Sequence, residues 1–113
     1  MTLIQLLQNE IKKWSDSTFG NHRTGTPIAY HLKKEIDEVI VALENHHKGA
    51  DDGTKNRVKF ELVDCLTLLV DIAAHEDINM FDLVDASFEK LEINKKRKWG
   101  KPDENGVVEH IEE

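Results

Sequence analysis

The run from Glu61 to Asp71, ELVDCLTLLVD, sets carboxylates into an apolar stretch at helical spacing, and no other part of the chain restricts the fold as much. At about 100° per residue, Val58, Leu62, Cys65, Leu66, Leu69, Ile72 and Ala73 fall on one broad stripe, with Val63 and Val70 carrying apolar surface further round. This spacing predicts a central, largely buried helix. Glu61 and Asp64 stand one turn apart at an edge of the stripe, and Asp71 and His75 continue that side. Buried acids without partners are costly, so these need basic neighbours, a raised pKa or a metal cation.

A chain of 113 residues suits one domain, spanning 1–113, with a modest core. Charged residues at 33%, hydrophobic ones at 39% and only two Pro and six Gly favour a soluble all-α protein over a β-rich or disordered one. No apolar run approaches the roughly 18 to 20 residues of a membrane span, and the N-terminus lacks a basic region followed by an apolar signal core; a cytoplasmic protein is expected. Cys65 is the one cysteine, which excludes an intramolecular disulfide and reads as a small core residue. A net charge of −7 argues against wrapping a nucleic-acid polymer, but a nucleotide needs only local cations, or carboxylates bridged to it by a divalent metal.

Thr2 is the expected cap of a first helix to about Trp14, with Leu3, Leu6 or Leu7, Ile11 and Trp14 on its apolar side. Ser15 to Thr26, containing Phe19-Gly20 and Arg23, reads as a loop of about a dozen residues. Thr26-Pro27 reads as the start of a second helix to about His47, with Ile28, Leu32, Ile36, Val39 and Leu43 as its stripe and His31, Glu35 and Glu38 along one flank. The polar turn Lys48 to Asn56 would reverse the chain and make helices 2 and 3 an antiparallel hairpin. A fourth helix, capped by Asp77 or Asn79, should turn Phe81, Val84, Phe88 and Leu91 inward. Its basic second half places Lys90, Asn94 and Arg97 on one face. Trp99-Gly100-Lys101-Pro102 ends it, and Asp103 to Glu113 reads as an acidic tail in which Val107, Val108 and Ile111 are the residues able to dock.

Glu35-x-x-Glu38 and Glu61-x-x-Asp64 each put two carboxylates a turn apart. A solvated acidic face is the common fate of one such pair. Two pairs at the edges of facing stripes bring four oxygen groups together, the ligand type of Mg²⁺ or Mn²⁺; zinc would want a Cys/His cluster that this sequence lacks.

Three segments, His31-Leu32-Lys33-Lys34-Glu35-Ile36-Asp37-Glu38, Glu61-Leu62-Val63-Asp64 and Lys90 to Gly100, resemble the MazG-like all-α nucleoside triphosphate pyrophosphohydrolases. Trp14, Thr18-Phe19-Gly20 and the closing Arg97-x-Trp99-Gly100 look most like the short dATP/dGTP diphosphohydrolase branch, often phage-borne. The resemblance covers about residues 10 to 110. It implies a four-helix bundle whose helices 2 and 3 carry Glu35, Glu38, Glu61 and Asp64 as ligands of Mg²⁺. It also implies hydrolysis of dATP or dGTP to monophosphate and pyrophosphate, and Lys90, Asn94 and Arg97 on the phosphates. Lys34 stands where many members have a further Glu, so water activation would fall to Glu35 or Glu38 alongside ligation, or to the metal alone. Phe19 and Trp99 are candidates to stack a base, as is Trp14, and Asp71 to orient Lys90 or a ligand. The small core and the wide apolar surface of the central helix point to a homodimer or dimer of dimers, as the resembled family also forms. Phosphoribosyl-ATP or dUTP/dCTP pyrophosphohydrolases of the same superfamily would share the metal ligands, and a non-catalytic helical interaction module would keep its acids solvated or salt-bridged.

Overall fold

The computed structural model describes residues 1–112, and its elements are α1 (Leu3–Phe19), α2 (Gly25–Lys48), α3 (Asp52–His75) and α4 (Met80–Lys96). The protein is all-α: the described residues form no strand, only an isolated bridge between Trp99 and His110. They group into two compact units, Met1–Phe81 and the residues from Asp82 onward.

The first unit is built on the α2–α3 hairpin, the most extensive helix pairing in the chain. Its turn is tighter than the expected Lys48 to Asn56, because Asp51 starts α3 at once. The Asp51 carboxylate accepts the Thr54 amide hydrogen at 2.7 Å, and Thr54 Oγ1 accepts that of Asp51 at 3.0 Å. This reciprocal capping box satisfies two donors that a helix start otherwise leaves open. The amide bond from Thr54 also holds the Asp51 carboxyl below its ordinary pKa.

At the other end of the hairpin the cap position of α2 is Thr24, not Thr26, and Pro27 sits within the first turn, where its missing N–H costs nothing. Gly25 is buried against α3: a Cβ there would lie 3.1 Å from Ile72 Cγ2 and Glu76 Cγ, so a larger residue would need these side chains to give way by a few tenths of an ångström. The far end of α3 closes with the Ile78 amide donating to the Ala73 carbonyl at 2.9 Å and that of Asp77 to Ala74 at 3.3 Å. Asp77, at φ 56°, supplies the left-handed residue of this Schellman closure of α3.

α1 packs on α3 through Gln8, Ile11 and Ser15, all buried, whereas Leu3, Leu6, Leu7 and Trp14 remain exposed. The inward face is therefore a polar-centred one. Gln8 donates to the Ile78 carbonyl at 2.9 Å and accepts from the Met80 amide at 3.0 Å, which ties α1 to the α3–α4 connection. α1 also runs through the segment expected as loop, to Phe19, leaving only residues 20–24 to join it to α2. Its polar residues there find partners: Lys12 pairs with Asp16 at 2.7 Å and Ser15 is wholly buried, while Gly20, at φ 92°, ends the helix. Side chains that look like loop chemistry in the sequence are tertiary contacts in the fold.

The core is Ile28, Val39 and Ala42 of α2, Cys65, Val70, Ala73 and Ala74 of α3, and Ile11 and Met80. The expected α3 stripe is only partly inside, since Leu62, Leu66 and Leu69 are exposed, as is Ile36 on α2. α3 is apolar around more of its circumference than its neighbours in one chain cover.

In the second unit, Val84, Phe88 and Leu91 of α4 are exposed, not turned inward, as is Phe81 at the end of the first unit. After α4 the chain folds back on itself. The Gly100 amide donates to the Glu109 carbonyl at 2.8 Å and that of Ile111 to Lys98 at 2.7 Å. The reversal is made by Asp103, whose Oδ1 accepts the amides of Asn105 and Val107, and by Gly106 at φ 80°. Asp103 to Glu112 is thus a hydrogen-bonded return and not a loose tail; Glu113 lies outside the described residues.

Candidate active site

Glu35 of α2 and Glu61 and Asp64 of α3 each offer a carboxylate oxygen, and the three atoms lie within 4.8 Å of one another. The i, i+3 spacing on α3 and the hairpin pairing produce this convergence directly. Glu61 is buried and accepts from Arg57 Nε at 2.8 Å, Glu35 is half-buried with His31 Nε2 3.2 Å from its Oε1, and Asp64 is exposed. Glu38, one turn along α2, is exposed and stands outside this grouping. Three of the four expected ligands therefore meet. Cys65 lies beside them with its thiol pushed above its ordinary pKa, first by burial and then by the negative charge of Glu35, Asp64 and Glu61. The thiol is thereby kept protonated, as a packing residue.

Glu35 and Asp64 line one end of a cavity of about 320 Å³, in the range that holds small molecules. Its other end is formed by Trp14, Phe19, Arg23 and Asp71. Asp64 and Asp71 are seven residues apart on α3, about 10 Å along the axis at the helical rise. Trp14 and Phe19 meet edge to face at 5.4 Å, and the Arg23 guanidinium lies 4.7 Å from the centre of the Phe19 ring.

Asp71 anchors this end. Ser15 Oγ donates to its Oδ2 at 2.8 Å, and Arg23 Nη1 reaches Ser15 Oγ at 3.3 Å and Asp71 Oδ2 at 3.8 Å. His75 Nδ1 lies 3.0 Å from Asp71 Oδ1 and 2.9 Å from the Asp71 main-chain carbonyl oxygen, and Oδ1 itself has no hydrogen bond. Nε2 of the same ring lies 3.2 Å from Asp16 Oδ1. Asp16, bonded first to Lys12 and then to His75, is held below the usual carboxylate pKa, and Lys12 is raised in return. Asp71 was expected to orient Lys90 or a ligand; within the first unit its partners are Ser15 and Arg23, both from the segment expected as a polar loop.

Within the second unit, Arg97 Nη1 donates to Asn94 Oδ1 at 3.5 Å, and Trp99 Nε1 donates to the Asn94 main-chain carbonyl at 3.0 Å. The Trp99 and His110 rings meet edge to face at 6.1 Å. Arg97, Lys96, Lys98 and His110 line a cavity of about 300 Å³, while Lys90 is exposed on α4. No helix among the described residues is long and apolar enough to cross a membrane.

Residues 7–113 match the dATP/dGTP pyrophosphohydrolase family. A curated relative, the dATP/dGTP diphosphohydrolase of cyanophage S-2L, is 32% identical over 105 residues, which cover 93% of this chain and 85% of the relative. No solved structure matches. A match over nearly the whole chain, on an all-α fold that brings three acids of facing helices together, places this protein in the dATP/dGTP pyrophosphohydrolase family, a family of nucleotide-hydrolysing enzymes.

Proposed function

We propose that this protein hydrolyses dATP and dGTP to the deoxynucleoside monophosphate and pyrophosphate with Mg²⁺, or Mn²⁺ in its place, held by Glu35, Glu38, Glu61 and Asp64. The observation that carries the reading is the convergence of Glu35, Glu61 and Asp64 on a cavity-lining edge in a chain of this family. The donor set fits the ion: all three donors are hard carboxylate oxygens, and the mutual repulsion of three such groups within 4.8 Å is relieved by a divalent cation. An ion bound there supplies charge neutralisation for the phosphates and acidifies the attacking water.

The residues of the chain do the rest. Glu35 or Glu38 takes the proton of the water, whose oxygen forms the new bond to phosphorus as the α–β anhydride bond breaks and its electron pair leaves with pyrophosphate. Lys90, Asn94 and Arg97 are assigned to the phosphates by their charge and hydrogen-bonding capacity and by the family resemblance, and Phe19 and Trp99 to the base by their aromatic faces. The span of the family match, 7–113, supports a single catalytic domain. We place the protein in the cytoplasm and expect a homodimer or dimer of dimers, supported by the exposed Leu62, Leu66 and Leu69 of α3.

The test is pyrophosphate release by the purified protein across the eight common nucleoside triphosphates, with Mg²⁺ and with EDTA. Metal-dependent release strongest for dATP and dGTP is the expected result. Strongest release from dCTP would move the protein to another branch. No release from any of the eight, with no metal-induced stabilisation, would mean that the acids are salt-bridged structural groups.

A further inference from the structure

The cavity end formed by Arg23, Phe19 and Asp71 has features that metal binding does not use. Arg23 is half-buried, rests on the Phe19 ring and is held against Ser15 and the buried Asp71. Among the described residues, its polar contacts run through Nη1. Nε and Nη2 therefore keep three N–H donors in the plane of the guanidinium. A base would lie at this end when phosphates lie at the acids, about 10 Å away along α3.

A fixed guanidinium is a donor-only fork, and the chemistry of purine edges tells it apart from adenine. Guanine presents two adjacent acceptors, O6 and N7, and takes both donors; adenine presents N7 beside an amino group that is itself a donor. Thymine and uracil offer no such pair of acceptors, and the O2/N3 pair of cytosine lies beside the glycosidic bond on a smaller ring. Asp71 pairs with the fork at 3.8 Å and the Phe19 ring lies under it at 4.7 Å, so the guanidinium is placed before a ligand arrives.

We infer that Arg23 is a specificity-determining residue that reads the O6/N7 edge of the nucleobase, with Asp71 and Phe19 positioning it, so that the site takes guanine nucleotides ahead of adenine ones. This rests on the triphosphate-hydrolysing reading above and adds the residue that selects the base. Ser15, Asp16 and His75 complete the support from behind, through Asp71.

The experiment compares kcat/KM, by pyrophosphate release with Mg²⁺, for dGTP, dITP, 7-deaza-dGTP and dATP on the unaltered protein, Arg23→Lys and Arg23→Ala. dITP keeps O6 and N7 and should follow dGTP. 7-deaza-dGTP lacks N7 and should fall toward dATP, with dGTP preferred over dATP by about tenfold, in line with one bidentate contact. Arg23→Lys keeps the charge and loses the fork, and should reduce the dGTP:dATP ratio about as far as Arg23→Ala. Should the alanine variant not fold, the lysine variant and the analogue series decide alone. An unaltered protein that treats 7-deaza-dGTP like dGTP or prefers dATP overturns the inference, as does an unchanged ratio in Arg23→Lys. In these outcomes hydrolysis persists, so the enzymatic reading stands. Absence of pyrophosphate release from every nucleotide overturns both.

Discussion

The three acids at the hairpin edge set function against stability. Glu35, Glu61 and Asp64 bring like charges within 4.8 Å, and in the absence of a cation each destabilises the other two. Arg57 and His31 offset part of this at Glu61 and Glu35, respectively. Asp64→Asn keeps the shape and removes one charge. In EDTA this variant should therefore melt a few degrees above the unaltered protein, and in millimolar Mg²⁺ the order should reverse, because only the unaltered site gains binding free energy. Pyrophosphate release should fall by more than the roughly 10–100-fold typical of residues one shell out from a metal. Thermal melts with and without Mg²⁺, beside the activity assay, check both parts; a variant that keeps both turnover and metal response would remove Asp64 from the site.

For the helices, the decisive features lie at the ends. The α2–α3 turn depends on the capping box at Asp51, whose carboxyl is stabilised in its charged form by the Thr54 amide. In the fold the Asp51 carboxyl lies below its ordinary pKa, so the unfolded chain binds the proton more readily. The stability it contributes is present above the unfolded pKa and lost as pH falls through the folded one. Asp16, lowered by Lys12 and His75, has the same sign, while Lys12 contributes below its unfolded pKa and loses that contribution as pH rises through its raised one. Asp51→Ala should lower the melting temperature by a few degrees at neutral pH and flatten the loss of stability as pH falls below about 4. Urea midpoints of both proteins across that range measure it; parallel curves would show that the cap has no charge-dependent role. At the opposite end of the hairpin, Gly25 lets the start of α2 pack tightly against Ile72 and Glu76.

At the scale of the whole molecule, large apolar side chains stay exposed on both helices of the hairpin. Leu62, Leu66 and Leu69 lie at i, i+4 and i+7, one exposed face of α3, and Ile36 and Ile40 are exposed on α2. Contiguous apolar helix faces of this kind mark association surfaces. Leu66→Glu should dissociate the expected homodimer or dimer of dimers, read as a lower mass by light scattering at micromolar concentration, and should lower the melting temperature through lost association. A mass equal to that of one chain for the unaltered protein would place the association surface elsewhere or remove it.

Helical periodicity alone determined the all-α class, the four helices and the carboxylate pairs of α2 and α3, because 3.6-residue spacing and few breakers leave little else for these segments to form. It singled out the pairs Glu35/Glu38 and Glu61/Asp64, since i, i+3 spacing is a local property; the packing of α2 on α3 decided that Glu35 and not Glu38 meets Glu61 and Asp64. Tertiary structure alone decided which side of each helix turns inward. Gln8 and Ser15 are buried in place of Leu6 and Trp14, and Leu66 is exposed although its neighbour Cys65 is buried. Ser15, Arg23 and Asp71 follow the same logic. A polar residue becomes interior only when a distant chain segment completes its hydrogen bonds, and the sequence around it carries no trace of that partner.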